Sequence, residues 1–233
     1  MRHPGDDTRH HFDETLDAIL RGTVELGALV HENVHRTSEA LLENRLDLAQ
    51  RAVDADDEID ARYIALEHRV FEVMARQQPV AGDLRFLVAM TRVLYEIERS
   101  GDLAVNAAKG LIRREGYVLP ADIHSLLARM SREAAGLFRE GLDALADLDA
   151  AASPRIEAAD DVVDDLVGDL YTAIAQSSGD MGFDIAVELS RVGRYMERIA
   201  DHAVNIAEHV TFIVTGSFPE DGSVATKDEG WEG

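Results

Sequence analysis

The sequence predicts an all-α protein made of two tandem, similar three-helix bundles. Three observations predict this fold. Only five prolines occur among 233 residues, so long stretches lack the residues that most often break helices. Apolar residues recur along these stretches at steps of three and four, as on one face of a helix. The second half of the chain also repeats the first, which indicates an internal duplication.

The first bundle is predicted over residues 8–115. Its three helices are expected at residues 8–44, 45–78 and 83–114, each with one apolar stripe that can pack against a core. Pro79 and Gly82 interrupt the pattern between the second helix and the third. Because the links are short, we expect the six helices of the chain to run antiparallel to their neighbours.

The second bundle is predicted over residues 120–215. Pro120 suits the first position of the fourth helix, where its missing N–H costs nothing. Ser153 and Pro154 have the pattern of an N-cap followed by a first-turn proline, so they should begin the fifth helix. The sixth helix is expected at residues 183–215.

The composition excludes several classes of protein. The chain has 23 Lys and Arg against 45 Asp and Glu, a formal net charge of −22, and such a chain repels the phosphate backbone of nucleic acids. It has no cysteine, so disulfides, thiol catalysis and thiolate metal sites are excluded. Segment 216–233 is polar, acidic and rich in glycine, and we predict that it is a mobile tail.

The sequence also predicts a soluble protein. No apolar run approaches the roughly 20 residues of a spanning helix. The polar stretch from Met1 to Thr8 lacks the apolar segment of a targeting signal. We therefore expect the chain to reach a membrane only through its partners.

The internal repeat is closest between the third helix and the sixth. When the second half is shifted back by 99 positions, nine residues between 92 and 108 meet an identical residue. They are Arg92, Val93, Glu98, Arg99, Asp102, Ala104, Val105, Asn106 and Ala108. The second and fifth helices match at a shift of 104, where Asp56, Asp57 and Asp60 meet Asp160, Asp161 and Asp164. Packing explains the shared alanines and valines better than it explains shared carboxylates.

Each repeat unit carries two pairs of carboxylates spaced by four residues. They are Asp56 with Asp60 and Glu98 with Asp102 in the first unit, and Asp160 with Asp164 and Glu197 with Asp201 in the second. Like charges at this spacing destabilise a helix by about 0.2–0.5 kcal/mol, and a cation reverses the sign of that cost. Such hard oxygen donors suit Mg²⁺, Ca²⁺, Mn²⁺ or iron. We predict two metal sites in accessible grooves; the alternative is a set of solvated surface acids paired with nearby arginines.

These residues carry a family resemblance. Residues 98–102 with Asn106, and residues 197–201 with Asn205, resemble the paired signatures of the PhoU family. The resemblance covers about residues 10–215, including the Asp-rich helix that precedes each signature.

The resemblance implies a fold of two similar three-helix bundles that bind multinuclear iron or zinc clusters. The ligands that it implies are Asp56, Asp60, Glu98 and Asp102 in one bundle and Asp160, Asp164, Glu197 and Asp201 in the other, with Asn106 and Asn205 as supporting residues. The first unit has Leu103 where the second has His202. The two sites therefore need not bind the same metal, and we expect His202 to be an extra ligand and His209 a surface residue.

The resemblance also implies a function. PhoU proteins are cytoplasmic negative regulators of the phosphate-starvation response, not enzymes. They act between the ATPase subunit of a phosphate-specific ABC transporter and a sensor histidine kinase, and homodimers are common among them.

Two other functions stay open at this point. A ferritin-like di-iron oxidase needs two Glu-x-x-His motifs, and this chain offers one, Glu32 with His35. A metal-free helical adaptor would use the long helices alone. Hydrolytic chemistry is not expected, since the chain has no nucleophile elbow or phosphate-binding glycine loop.

Overall fold

The computed structural model describes residues 4–219, and within that range the chain folds into seven α-helices without a strand. The helices are α1 (Pro4–Leu42), α2 (Leu46–Asp54), α3 (Asp56–Gln77), α4 (Ala81–Arg113), α5 (Ala121–Asp147), α6 (Ser153–Met181) and α7 (Phe183–Thr215). The predicted all-α fold of two similar three-helix units is confirmed. Most of the predicted tail, residues 220–233, lies outside the described residues.

The predicted second helix is interrupted, which is a correction to the sequence prediction. Ala55 separates α2 from α3. The amide Nδ2 of Asn33, a fully buried residue of α1, donates a hydrogen bond of 3.0 Å to the carbonyl of Ala52. That carbonyl would otherwise accept from the residue four positions later, so the side chain enters the helical ladder and breaks it.

The fourth helix begins one residue later than predicted. Pro120 is its N-cap and not its first helical residue, and α5 begins at Ala121. The carbonyl of Pro120 accepts the first helical bond from His124 at 2.8 Å. The predicted fifth helix, α6, begins at Ser153, which is therefore its first helical residue and not the N-cap that the sequence pattern indicates.

The helices form two layers. In one layer α4 and α7 lie side by side, with α3 on the outer side of α4 and α6 on the outer side of α7. The other layer contains α1 and α5, which pack against each other. Across the layers, α1 packs against α4 and α5 packs against α7. The buried apolar residues of all these helices form one continuous cluster, so the two repeat units share a core.

The central helices α4 and α7 run antiparallel. Arg85 near the start of α4 donates to the carbonyl of Ile213 near the end of α7 at 3.1 Å. In the middle, Ser100 meets His202. Helices α4 and α7 are equivalent in the repeat, lie in one plane and run antiparallel. The rotation that exchanges such a pair is a twofold axis perpendicular to that plane. A rotation about this axis keeps each side of the plane unchanged, so equivalent residues of α4 and α7 face the same side of the molecule. Among the described helices, none is sufficiently long and apolar to cross a membrane.

Candidate functional site

The first four-carboxylate set is built by α3 and α4. Asp56 is the first residue of α3 and Asp60 follows one turn later, while Glu98 and Asp102 lie one turn apart on α4. Burial, followed by the charge of Asp102, raises the pKa of Glu98 to about 7, with Asp60 and Asp56 adding to the effect. Two helices therefore bring all four predicted residues into one electrostatic neighbourhood.

Cations from α4 accompany this set. Lys109 Nζ lies 3.9 Å from Asp56 Oδ2, and Arg99 Nη1 lies 3.4 Å from Asp102 Oδ2. Burial and the neighbouring Asp60 nevertheless raise the pKa of Asp56. Burial and the neighbouring carboxylates therefore together outweigh the lysine at this position.

The second set repeats the arrangement on α6 and α7. Burial, and then the charges of Asp201 and Asp164, raise the pKa of Asp160 to about 6. The pKa of Asp201 is raised by burial and then by Glu197, and the same two causes raise the pKa of Asp164. Residues that the repeat related in sequence thus lie together in space in both halves of the protein.

Two details distinguish the second set. Arg194 pairs with Glu197 on the next turn of α7, whereas the repeat partner of Arg194 is Tyr95. Asp160 Oδ1 is buried and accepts no hydrogen bond from the protein. A buried carboxylate oxygen without a donor costs free energy, and a cation would offset that cost.

The donor chemistry of both sets suits a hard cation. All eight side chains are carboxylates, and their mutual repulsion is relieved when a cation binds between them. In the described part of the chain, however, no three acidic or histidine side chains already converge on one metal position. The helices bring these carboxylates into two neighbourhoods, where Arg99, Lys109 and Arg194 form ion pairs with Asp102, Asp56 and Glu197. A metal would have to replace these ion pairs by side-chain rotation.

The predicted supporting residues differ between the halves. Asn106 is exposed on α4. Asn205 is half-buried and hydrogen-bonds to the side chain of Glu96 on α4. It therefore bridges the two repeat units instead of supporting its own carboxylate set.

The predictions for both histidines of α7 need correction. His202 does not face the carboxylate set; it is buried between α4 and α7, with Nδ1 2.9 Å from the hydroxyl of Ser100. Its Nε2 lies 3.7 Å from Glu96 Oε2. His209 is half-buried and packs edge-on against Phe218, with ring centroids 5.6 Å apart, so it is not a surface residue.

A difference between the two repeat units marks the contact of His202 with Ser100 and Glu96 in the sequence. Glu96, Ser100 and His202 have Tyr195, Ile199 and Leu103 at their repeat-related positions. A polar residue whose repeat partner is apolar or aromatic marks a contact that one unit makes and the other cannot. Such differences identify the interface between the units.

The two residues of the Glu-x-x-His motif line different grooves. Glu32 pairs with Arg36 on the next turn of α1. His35 lines a groove of about 580 Å³ between α1 and α5, together with His31, Ser131 and Arg132. Glu32 lines a second groove with Ala55 and Glu58, beside Asp56 at the start of α3.

Comparison with known proteins shows the family of this chain. The PhoU domain matches residues 23–111 and 127–210, one match for each repeat unit. The phosphate-specific transport system accessory protein PhoU homolog 1 of Mycobacterium leprae is 33% identical over 91% of this chain and 96% of its own length. The phosphate-specific transport system accessory protein PhoU homolog of Synechocystis is 33% identical over 89% of this chain and 93% of its own length.

Solved structures show the same fold. The crystal structure of PhoU from Pseudomonas aeruginosa superposes with a TM-score of 0.82 at 26% identity, covering 88% of this chain and all of that one. The phosphate transport system regulatory protein PhoU from Streptococcus pneumoniae, at 22% identity, superposes with a TM-score of 0.79 over 89% of this chain and 98% of its own. The chain belongs to the PhoU family and contains two PhoU domains in tandem.

Proposed function

We propose that this protein is a metal-binding regulator of phosphate transport. It represses the phosphate-starvation response by coupling a phosphate-specific ABC transporter to a sensor histidine kinase. Relatives named as accessory proteins of the phosphate-specific transport system support this role. The same names, and the regulatory protein of known structure, support a protein that is not an enzyme.

The observation that carries the metal-binding part is the duplicated four-carboxylate set. Asp56, Asp60, Glu98 and Asp102 would hold one cluster, and Asp160, Asp164, Glu197 and Asp201 the other. Burial and mutual repulsion raise the pKa of Glu98 to about 7 and that of Asp160 to about 6. Because this arrangement costs free energy without a cation, it supports a binding role better than a purely structural one.

The cluster is proposed to contain iron or zinc, with Mg²⁺, Ca²⁺ or Mn²⁺ as alternatives that the same oxygen donors accept. Bound metal would offset part of the negative charge on the surface formed by α3, α4, α6 and α7. It would thereby fix the side chains that partners meet there.

The proposed partners are the ATPase subunit of the transporter, the sensor histidine kinase and a second copy of this chain. The protein would work in the cytoplasm and reach the membrane through the transporter. The net charge of −22 favours basic protein surfaces and disfavours nucleic acid.

Metal content tests the first part of the proposal. Wild-type protein purified without chelator is expected to carry metal at one or more ions per set, measured by mass spectrometry of the elements. Glu98→Gln with Glu197→Gln should lower that content at least tenfold. The matched control is Asp143→Asn with Glu115→Gln, which removes two exposed acids outside both sets. Equal metal in the two double variants, or none in wild type, would leave a metal-free adaptor as the function.

Gene expression tests the regulatory part. Deleting the gene should derepress phosphate-uptake genes in phosphate-rich medium, and the wild-type gene should restore repression. The Glu98→Gln, Glu197→Gln variant should restore it less well, while the control variant should restore it fully. Unchanged expression in a strain without any other PhoU gene would contradict the assignment.

A further inference from the structure

The start of each central helix exposes a pair of apolar side chains at repeat-related positions. Leu84 and Val88 of α4 are 41% and 44% exposed, and Phe183 and Val187 of α7 are 79% and 40% exposed. A shift of 99 residues superposes one pair on the other. We call Leu84 with Val88 the first apolar end, and Phe183 with Val187 the second apolar end.

Exposed apolar residues recurring at equivalent positions are unlike the scattered ones of an ordinary surface. Single exposed apolar residues are common and need no explanation. Here both members of the pair are kept apolar in both units, although α3 and α6, the helices beside them, have diverged: Phe71 of α3 is opposite Ala175 of α6 at the shift of 104. The duplicated pair is therefore a feature of the fold shared by the two units.

Both apolar ends lie on the same face as the carboxylate sets. At 100° per residue, Leu84, Val88 and Asp102 project from α4 within about 40° of one another. The antiparallel packing of α4 and α7 places the equivalent stripe of α7 on the same side of the molecule. Along the helix axes, at 1.5 Å per residue, the two apolar ends are about 40–50 Å apart, and the carboxylates lie between them.

This arrangement specifies the symmetry of what binds there. Two equivalent contacts related by a twofold axis match two identical subunits related by a twofold axis, the commonest symmetry of homo-oligomers. A second copy of this chain fits poorly face to face, because its eight carboxylates would oppose the same eight here. The partner that complements this face instead carries a basic surface at its twofold axis and one apolar pocket on each subunit.

We propose that one molecule of this protein docks across the twofold axis of a homodimeric partner, with the first apolar end on one subunit and the second apolar end on the other. This rests on the proposed function, in which the partner is the paired ATPase subunit of the phosphate transporter. Each end alone would bind weakly, and their joint engagement raises the affinity because the second contact forms within an existing complex.

Stoichiometry and matched variants test the proposal. The full chain is mixed with the purified ATPase subunit in its dimeric form, and complexes are measured by native mass spectrometry and titration calorimetry. One molecule of this protein, in the monomeric or dimeric state that it has alone, is expected per two ATPase subunits. Leu84→Asp/Val88→Asp and Phe183→Asp/Val187→Asp should each weaken binding by about 10²-fold, and by similar amounts, since the ends are equivalent. Ala121→Asp/Ser125→Asp, which adds the same charges to exposed positions of α5, should bind as wild type does.

Each contrary result has a distinct meaning. Two such molecules per ATPase dimer, or full affinity after either end is changed, would overturn docking across the axis and leave the proposed function intact. A wild-type homodimer that the end variants dissociate would show that the apolar ends join copies of this chain, which also overturns the proposal. Absence of any binding between the wild-type chain and the ATPase would overturn the partner named in the proposed function as well. Circular dichroism of every variant confirms that a loss of affinity is not a loss of fold.

Discussion

The carboxylate of Glu188 on α7 lies where a side chain on Gly110 of α4 would have to be. A Cβ built on Gly110 would overlap Oε1 of Glu188. Glu188 is only 1% exposed, and its Oε2 lies 2.8 Å from Nη1 of Arg114, at the end of α4. The repeat partner of Glu188 is Ala89, so this ion pair joins the two units at one end of their interface only.

Gly110→Ala should destabilise the protein by about 3 kcal/mol, because the added methyl group displaces a buried carboxylate from its arginine. Alanine is the residue at the repeat position of Glu188, and adding Glu188→Ala should remove the clash. The double variant should therefore lose at least about 1 kcal/mol less stability than the sum of the losses of the two single variants. Urea unfolding of the four proteins of this cycle measures both effects. Gly136→Ala on α5 is the control, since a Cβ there meets nothing within 4 Å and should stabilise the helix slightly. Additive changes in the cycle would mean that Glu188 moves freely away from the new methyl group.

Much of the fold could be predicted because it depends on local pattern and on duplication. The periodic apolar residues and the scarcity of proline placed the long helices within a few residues of their observed ends. The break at Ala55 could not be predicted, because it arises from a hydrogen bond between Asn33 and the carbonyl of Ala52. That contact spans 19 residues and leaves no local signal.

The candidate site was predictable to a similar extent. The repeat indicates the eight carboxylates of the two sets, and their spacing places each pair on one side of its helix. It could not show which face of α7 meets α4, and His202 was therefore assigned to the wrong environment. Its contact with Ser100 depends on how two units pack, and only residues that differ between the repeats could have indicated it.

Neutralising one carboxylate in each set should stabilise the metal-free protein. Burial and repulsion raise the pKa of Glu98 from 4.5 to about 7, so the folded protein favours its protonated form. The ionised form therefore costs stability as pH rises from about 4.5 through 7. In the presence of chelator at pH 8, Glu98→Gln should be more stable than wild type by about 1–2 kcal/mol, a range that allows for the partial exposure of this group.

The same measurement at pH 4.5 is the internal control, because the carboxyl is then largely protonated and resembles the amide. Asp160→Asn should behave similarly, with its transition nearer pH 6, where its pKa lies. Asp143→Asn, which removes an exposed acid of α5 beside Arg139, should change stability little at either pH. A loss of stability in Glu98→Gln at pH 8 would show that the set is held by contacts that require its charge.

Asn44 ties the end of α1 to the segment that joins the two units. Its backbone is left-handed, with φ of 52°, and its Oδ1 accepts a hydrogen bond of 3.0 Å from the N–H of Tyr117. Asn44→Ala should cost about 2 kcal/mol, through the loss of this bond and the strain of alanine in that conformation. Asn44→Gly loses only the bond, so it should be about 1 kcal/mol more stable than Asn44→Ala in thermal unfolding. Equal stability of the two variants would mean that the left-handed conformation relaxes without cost.

His209 should make the protein sensitive to mild acid. Burial, assisted by Arg92, lowers the pKa of His209 from 6.5 to about 4. Above pH 6.5 the histidine is neutral in both the folded and the unfolded chain, so it does not lower the free energy of unfolding. As pH falls from 6.5 the unfolded chain binds the proton first, so the free energy of unfolding decreases, and the decrease is complete below about pH 4. Relative to His209→Gln, wild type should therefore lose on the order of 1–2 kcal/mol of stability over this range, allowing for the partial exposure of the ring.

Chemical unfolding at half-unit pH steps measures the difference, and His124→Gln, at an exposed position of α5, should follow the wild-type curve. If His209→Gln follows it too, the imidazole is already hydrated in the folded state, and its packing against Phe218 does not exclude water.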